Sequence, residues 1–192
     1  MSVGHLRSTV IGAAIQRLYD ALGYTTVGIN HIGDWGSQFG KLVAAIDRWG
    51  DTVDLEGDPI RSLLSLYVRY HEENEADPSL DEQASRNFQE LESGEDGHVR
   101  ATWRRLTELS LTEFQKIYDR LHVQFSQVRG EAFYEPYLGP TIERIEASGV
   151  TEMSQGAEIV DLSEIEKNMP PCLLRKTDGT TLLSLIHISE PT

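Results

Sequence analysis

Cysteine is almost absent: Cys172 is the only one in 192 residues, which excludes an internal disulfide and a multi-cysteine zinc site and leaves a reduced, buried thiol as the expectation. No apolar run approaches the ~18 residues of a membrane span. The opening Met1-Ser2-Val3-Gly4-His5 lacks the basic and apolar regions of a signal peptide, so a cytoplasmic chain with no membrane partner is expected. Positive charge is scarce. Seventeen Lys and Arg face 31 Asp and Glu, a net of −14, which argues against a general nucleic-acid binder and leaves only local contact with such a partner. The six histidines are scattered, and no HExxH zinc motif, GxSxG nucleophile elbow, glycine-rich phosphate fingerprint or internal repeat occurs. What is present is ordinary for a folded chain: 39% apolar, 25% charged and 8% aromatic residues, in a length of one domain or one and part of another.

Leu6, Val10, Ile11, Ala14, Ile15, Leu18 and Leu22 recur at helical spacing before Gly23, predicting a core-facing helix over 6–22. The β-branched and aromatic stretch 24–29 reads as a returning strand. Gly28, Gly33, Gly36 and Gly40 then fall within thirteen residues, so 30–37 reads as a shaped loop, and Phe39, Leu42, Val43, Ile46 and Trp49 trace the next helix. From about 51 the chain becomes charged and helical. Asp58-Pro59 is a helix start, with pieces at 60–76 and 79–92 and a break at 93–97. The acidic group Glu72, Glu73, Glu75 and Asp77 lacks calcium-loop spacing and reads as a solvated face; no metal site is assigned. A long amphipathic helix follows from Val99 to Leu121, with Arg104 and Glu108 placed to pair at i,i+4. Residues 123–128 read as extended, Leu138, Ile142 and Ile145 as a short helix closed by Gly149, and the rest as two hairpins turning at Gln155-Gly156 and Thr177-Asp178-Gly179.

Two segments hold residues suited to chemistry. Val3-Gly4-His5 opens a helix, whose first N–H groups and dipole favour an anion; glycine lets a phosphate approach the backbone, and imidazole can donate to a phosphoryl oxygen. Alone, a Gly-His pair before a helix is more often a turn with a surface histidine. The second segment is Asn30-His31-Ile32-Gly33-Asp34-Trp35-Gly36-Ser37-Gln38-Phe39-Gly40. One reading is a structural corner, with Asp34 capping the following helix, the glycines at positive φ and Trp35 packed beneath; the other is substrate contact.

Together the two segments resemble those of arginyl-tRNA synthetases, class I aminoacyl-tRNA ligases. Val3-Gly4-His5-Leu6-Arg7-Ser8-Thr9 is similar to that family's form of the HIGH signature, and residues 30–40 to its loop after the second strand. Residues 113–121, 129–134 and 173–182 are similar to further family segments, so the likeness runs over about 3–182. It implies an α/β fold: a partial Rossmann-like nucleotide-binding domain with a largely helical connective insertion and short hairpins. Residues 1–50 would begin the catalytic domain without its first strand, 51–128 form most of the insertion, and 129–183 return to the domain. It also implies ATP-dependent formation of arginyl-adenylate and transfer to tRNA(Arg), magnesium accompanying the ATP, and a monomer. Val3, Gly4 and His5 would lie against ATP, and His5 also near the amino acid as the catalytic group. Asn30, His31, Gly33, Asp34, Trp35, Gly36 and Gln38 mark the family loop without an assigned role.

The sequence departs from that pattern at both ends. Ser2 stands where the signature has its first histidine, and the preceding strand with its Ser-Pro-Asn segment, the second ATP motif and the tRNA-contacting domains have no counterpart. Leu183 and His187 stand where the family reads the guanidinium with a tyrosine and an aspartate; leucine offers no hydrogen bond and histidine no bidentate acceptor. Residues 184–192 are therefore expected to be a non-native read-through tail, and the 192 residues alone inactive as a ligase. The alternatives are a non-catalytic ATP- or amino-acid-binding module, and a tRNA-interaction module using Arg100, Arg104 and Arg105.

Overall fold

Asp58 and Pro59 begin a helix as their residue types require: the Asp58 carboxylate accepts from Arg61 N–H at 3.3 Å and proline fills the first turn. The structure, a computed structural model, describes residues 2–163, 165, 167–181 and 185. The order is α1 (Val3–Ala21), β1 (Ile29–Asn30), α2 (Ser37–Trp49), α3 (Pro59–Asn74), α4 (Ser79–Glu92), α5 (His98–Arg120), β2 (Gln127–Val128), α6 (Glu135–Ala147), β3 (Thr151–Ser154), β4 (Ala157–Val160) and β5 (Cys172–Arg175). The chain forms two compact units, one of residues 1–32 and 37–129, the other of 33–36 and 130–192.

In the first unit β1 and β2 pair in parallel, Ile29 with Gln127 and Asn30 with Val128. The main core lies in the charged helical stretch: Ala44 and Ala45 of α2 meet Leu66 and Tyr70 of α3 and Leu80 and Ala84 of α4. Gly40 makes this possible, because a Cβ there would stand 2.2 Å from the Ala84 carbonyl oxygen. The stripe Ala84, Phe88 and Leu91 is buried as its spacing predicts. Arg69 stacks its guanidinium on Trp49 at 4.6 Å, closing one side of the core.

Three expectations are corrected in this unit. Helix α1 forms, but it does not face a core: only Ala13 is buried, against Tyr118 and Val123, while Val10, Ile11, Ile15 and Leu18 are 47–65% exposed. Periodicity shows which face is apolar, not that a layer stands opposite it, and two residues each from β1 and β2 are too few to cover nineteen. The strand read over 24–29 is confined to Ile29–Asn30, the two positions with a partner strand beside them. Arg104 turns away from Glu108 and pairs with Asp96 at 2.7 Å.

The second unit packs α6 on a three-stranded antiparallel sheet in the order β3-β4-β5. Tyr134, Leu138, Ile142, Leu174 and Leu185 form its core. The first hairpin turns at Gln155 and Gly156, both at positive φ, 52° and 82°, as a two-residue turn of this hand demands. Beyond β5 the chain folds back through Thr177-Asp178-Gly179, with Arg175 bridging Thr181; Leu182 and Leu183 of that expected hairpin lie outside the described residues. Cys172 is free and half-buried at the edge of this core, more exposed than a buried thiol.

Candidate functional site

Helix α1 opens with a reciprocal cap. Ser2 Oγ accepts from His5 N–H at 3.5 Å, and the His5 ring reaches back so that Nδ1 accepts from Ser2 N–H at 3.0 Å. A backbone N–H can only donate, so in the neutral ring Nδ1 is the acceptor and the proton sits on Nε2. The exposed imidazole therefore presents an Nε2–H donor at a helix start, while the first-turn N–H groups of Val3 and Gly4 point along the axis where an anion is favoured. His5 is the third helical residue rather than part of a preceding turn. A Cβ at Gly4 would meet nothing closer than Ser2 Oγ at 3.6 Å, an ordinary contact. The fold does not need a glycine there.

The second segment closes on residues about a hundred positions later. Asn30 is buried, its Oδ1 accepting from the Tyr118 hydroxyl at 3.3 Å and its carbonyl from Arg129 N–H at 3.0 Å. It lines a cleft of about 330 Å³ with Gln115, Tyr118, Phe125 and Val128, at the carboxyl ends of the two parallel strands. The exposed His31 donates Nδ1–H to the Arg129 carbonyl at 2.9 Å, leaving Nε2 as the acceptor nitrogen. Gly36 holds φ +118°, a region that only glycine enters readily, and Trp35 is buried at 2% exposure. Of the other glycines in this segment, Gly33 and Gly40 are not at positive φ. Gln38 lies half-buried in the first turn of α2.

Asp34 is tied to a distant turn. Its Oδ1 accepts from Ala132 N–H at 2.9 Å, 98 residues on, at the start of the 3-10 turn Glu131–Tyr134 that runs into α6. Gly130 accommodates this carboxylate, since a Cβ there would stand 2.4 Å from both of its oxygens. Capping chemistry suits aspartate at either helix; the turn with no cap of its own received it. Sequence reasoning gave no role to Gly130, Ala132 or Tyr118. Only Gly130 carries a signal, a glycine whose φ of −70° needs no glycine.

The arginines proposed for a nucleic-acid face are engaged within the chain. Arg100 donates to the Leu91 carbonyl at 3.1 Å, Arg104 pairs with Asp96 and Arg105 with Glu56. Among the described residues no group of three or more His, Cys, Asp or Glu could hold a metal ion. Shifted carboxyls lie elsewhere: hydrogen bonds from Asn74 and then Tyr70 hold Asp81 below its ordinary value, and those from the Ser79 hydroxyl and Arg48 do the same for Asp77.

Comparison with known proteins bears on the whole chain. Residues 1–189 match the family described as "tRNA synthetases class I (R), catalytic domain". The chain is 46% identical over 187 residues to an arginine–tRNA ligase of Alkaliphilus metalliredigens, covering 97% of this chain and 32% of that protein. It is 47% identical over 181 residues to one of an Exiguobacterium species, covering 94% and 32%. The crystal structure of arginyl-tRNA synthetase from Plasmodium falciparum superposes with a TM-score of 0.74 at 28% identity, over 98% of this chain and 31% of that one. The chain thus spans about a third of the length of the curated relatives it matches.

Proposed function

The chain belongs to the class I arginyl-tRNA synthetase catalytic-domain family, and from that premise we propose that it carries the ATP-contacting start of an arginine–tRNA ligase. In the proposed reaction an arginine carboxylate oxygen attacks the α-phosphorus of ATP, a P–O bond forms as the bond to pyrophosphate breaks, and arginyl-adenylate results. A 3′-terminal ribose hydroxyl of tRNA(Arg) then takes the arginyl group and releases AMP. The protein's part is positioning and the stabilisation of phosphoryl charge.

Gly4 is the observation that carries this reading. Glycine costs up to about 0.5–1 kcal/mol against alanine in a helix, and at this first-turn position no neighbour in the fold asks for it. A flat, unshielded backbone beside free N–H groups and the His5 Nε2–H donor suits a triphosphate. Val3, Gly4 and His5 are the proposed ATP contacts, with His5 donating to a phosphoryl oxygen as charge develops and lying near the bound arginine. Magnesium would come with the nucleotide. No helix among the described residues is long and apolar enough to cross a membrane, and a cytoplasmic monomer is the proposed setting.

The alternative of a tRNA-binding module on the insertion is weakened by the pairing of Arg100, Arg104 and Arg105. Pyrophosphate–ATP exchange tests the main reading. The whole protein carrying this segment should exchange with arginine, and the 192-residue chain alone should not. Exchange by the short chain, or exchange by the whole protein with a different amino acid, would overturn it.

A further inference from the structure

We infer that Asp34 is a positioning residue, whose carboxylate, seated against Gly130, latches the Gly33–Gly36 loop to the start of the turn Glu131–Tyr134. Three independent features of the second unit meet here. The Asp34 carboxylate accepts from Ala132 N–H at 2.9 Å. That N–H belongs to the first turn of a helical run without a side-chain cap of its own, a donor that must find a partner from elsewhere. Gly130 sits at φ −70° and ψ −179°, a conformation open to any residue, yet a Cβ on it would overlap both Asp34 oxygens and Cγ at 2.4–2.5 Å. Its glycine is explained by the carboxylate and by nothing in its own backbone.

The loop has a matching peculiarity. Residues 33–36 belong to the same compact unit as 130–192, while 1–32 and 37–129 form the other. Four residues leave one unit, join the other and return, and within them Trp35 is buried and Gly36 takes a φ of +118°. Such an excursion requires a fixed point, and Asp34 supplies one by a charge-assisted hydrogen bond. The latch uses the carboxylate as an acceptor only, so an amide oxygen in the same place keeps the bond, weaker by its charge assistance. Its catalytic consequence, that the loop after the second strand is held in one form during adenylation, rests on the reading given above.

The test combines amide exchange with rescue. In the 192-residue chain, Asp34→Ala should speed hydrogen exchange at the Ala132 amide about tenfold or more, the size of a lost hydrogen bond to a charged group. Gly130→Ala should do the same, the double variant should add little, and Asp34→Asn should keep the slow exchange. In the whole protein, Asp34→Ala and Gly130→Ala should lower kcat for arginine-dependent pyrophosphate exchange while the KM for ATP holds, with Asp34→Asn again near wild type. Unchanged Ala132 exchange in Asp34→Ala, or an Asp34→Asn variant as fast as Asp34→Ala, overturns the latch. If Gly130→Ala does not fold by circular dichroism, the Asp34 pair decides alone. A wild type silent in pyrophosphate exchange with the amide pattern intact would sink the adenylation reading and leave the latch standing.

Discussion

At the scale of single residues, Gly4 and Asp81 make opposite kinds of demand. Gly4 weakens its helix and contacts nothing that needs it, so Gly4→Ala should raise thermal stability by up to about 1 kcal/mol. In the whole protein the same change should raise the KM for ATP, because the methyl group would cover the backbone proposed to meet the phosphates. A Gly4→Ala variant that is more stable and equally active would remove the observation on which the functional reading stands. Asp81 stabilises the fold through its hydrogen bonds from Asn74 Nδ2 at 2.9 Å and the Tyr70 hydroxyl at 2.8 Å. Because these lower its carboxyl below the ordinary 3.8, the unfolded chain binds the proton more readily. The contribution is full above that ordinary value and is lost as pH falls through the lowered one. Melting temperature should therefore drop more steeply below pH 4 in the wild type than in Asp81→Asn, and parallel curves would refute the assignment. Tyr70, raised above 10.0 by burial and then by its bond to Asp81, has the reverse sign: its contribution is complete below pH 10 and fades in stronger alkali.

At the scale of elements, α1 and α2 show how far a pattern can be read. Both carry apolar residues at helical spacing, and both are helices. Only α2 has its apolar side covered, because α3 and α4 pack on it and Gly40 lets α4 come close. Gly40→Ala should cost about 1–3 kcal/mol, since the Ala84 carbonyl that it meets is backbone and cannot swing aside. Leu18→Gln on α1, at a side chain 65% exposed, should stay within about 0.5 kcal/mol of wild type. Denaturant titration of the two variants checks the pair, and a large loss in Leu18→Gln would mean that α1 is packed after all. The charged helical stretch was legible because local signals build it: the Asp58-Pro59 start, the Ala84-Phe88-Leu91 stripe, the break before α5. The strand at 24–29 was not, since a strand exists only where a second one runs beside it, and that partner lies at 127–128.

At the scale of the molecule, the candidate site was legible in composition and not in wiring. Gly4 and His5 could be located from the helix that they open. Asn30, His31 and Asp34 could be singled out, but their partners Tyr118, Arg129 and Ala132 lie 88 to 98 residues away, and no local rule connects them. Asp34 shows the difference most clearly: its tendency to cap was readable, and the distant turn it reaches at Ala132 was not. Between those partners, Ala44 and Ala45 of α2 pack with Leu66, Tyr70 and Leu80 of the charged helical stretch in one core. The chain matches about a third of the relatives' length.

The central claim is that this chain belongs to a protein that charges tRNA with arginine. Its most direct test is to offer the whole protein total tRNA and each amino acid in turn and to measure esterified product, alongside His5→Ala. The expected result is product with arginine alone, on tRNA(Arg), with the rate lowered about 100- to 1,000-fold in His5→Ala, the usual loss when one donor to developing charge is removed. Charging with any other amino acid, or a His5→Ala variant as fast as wild type, would contradict it.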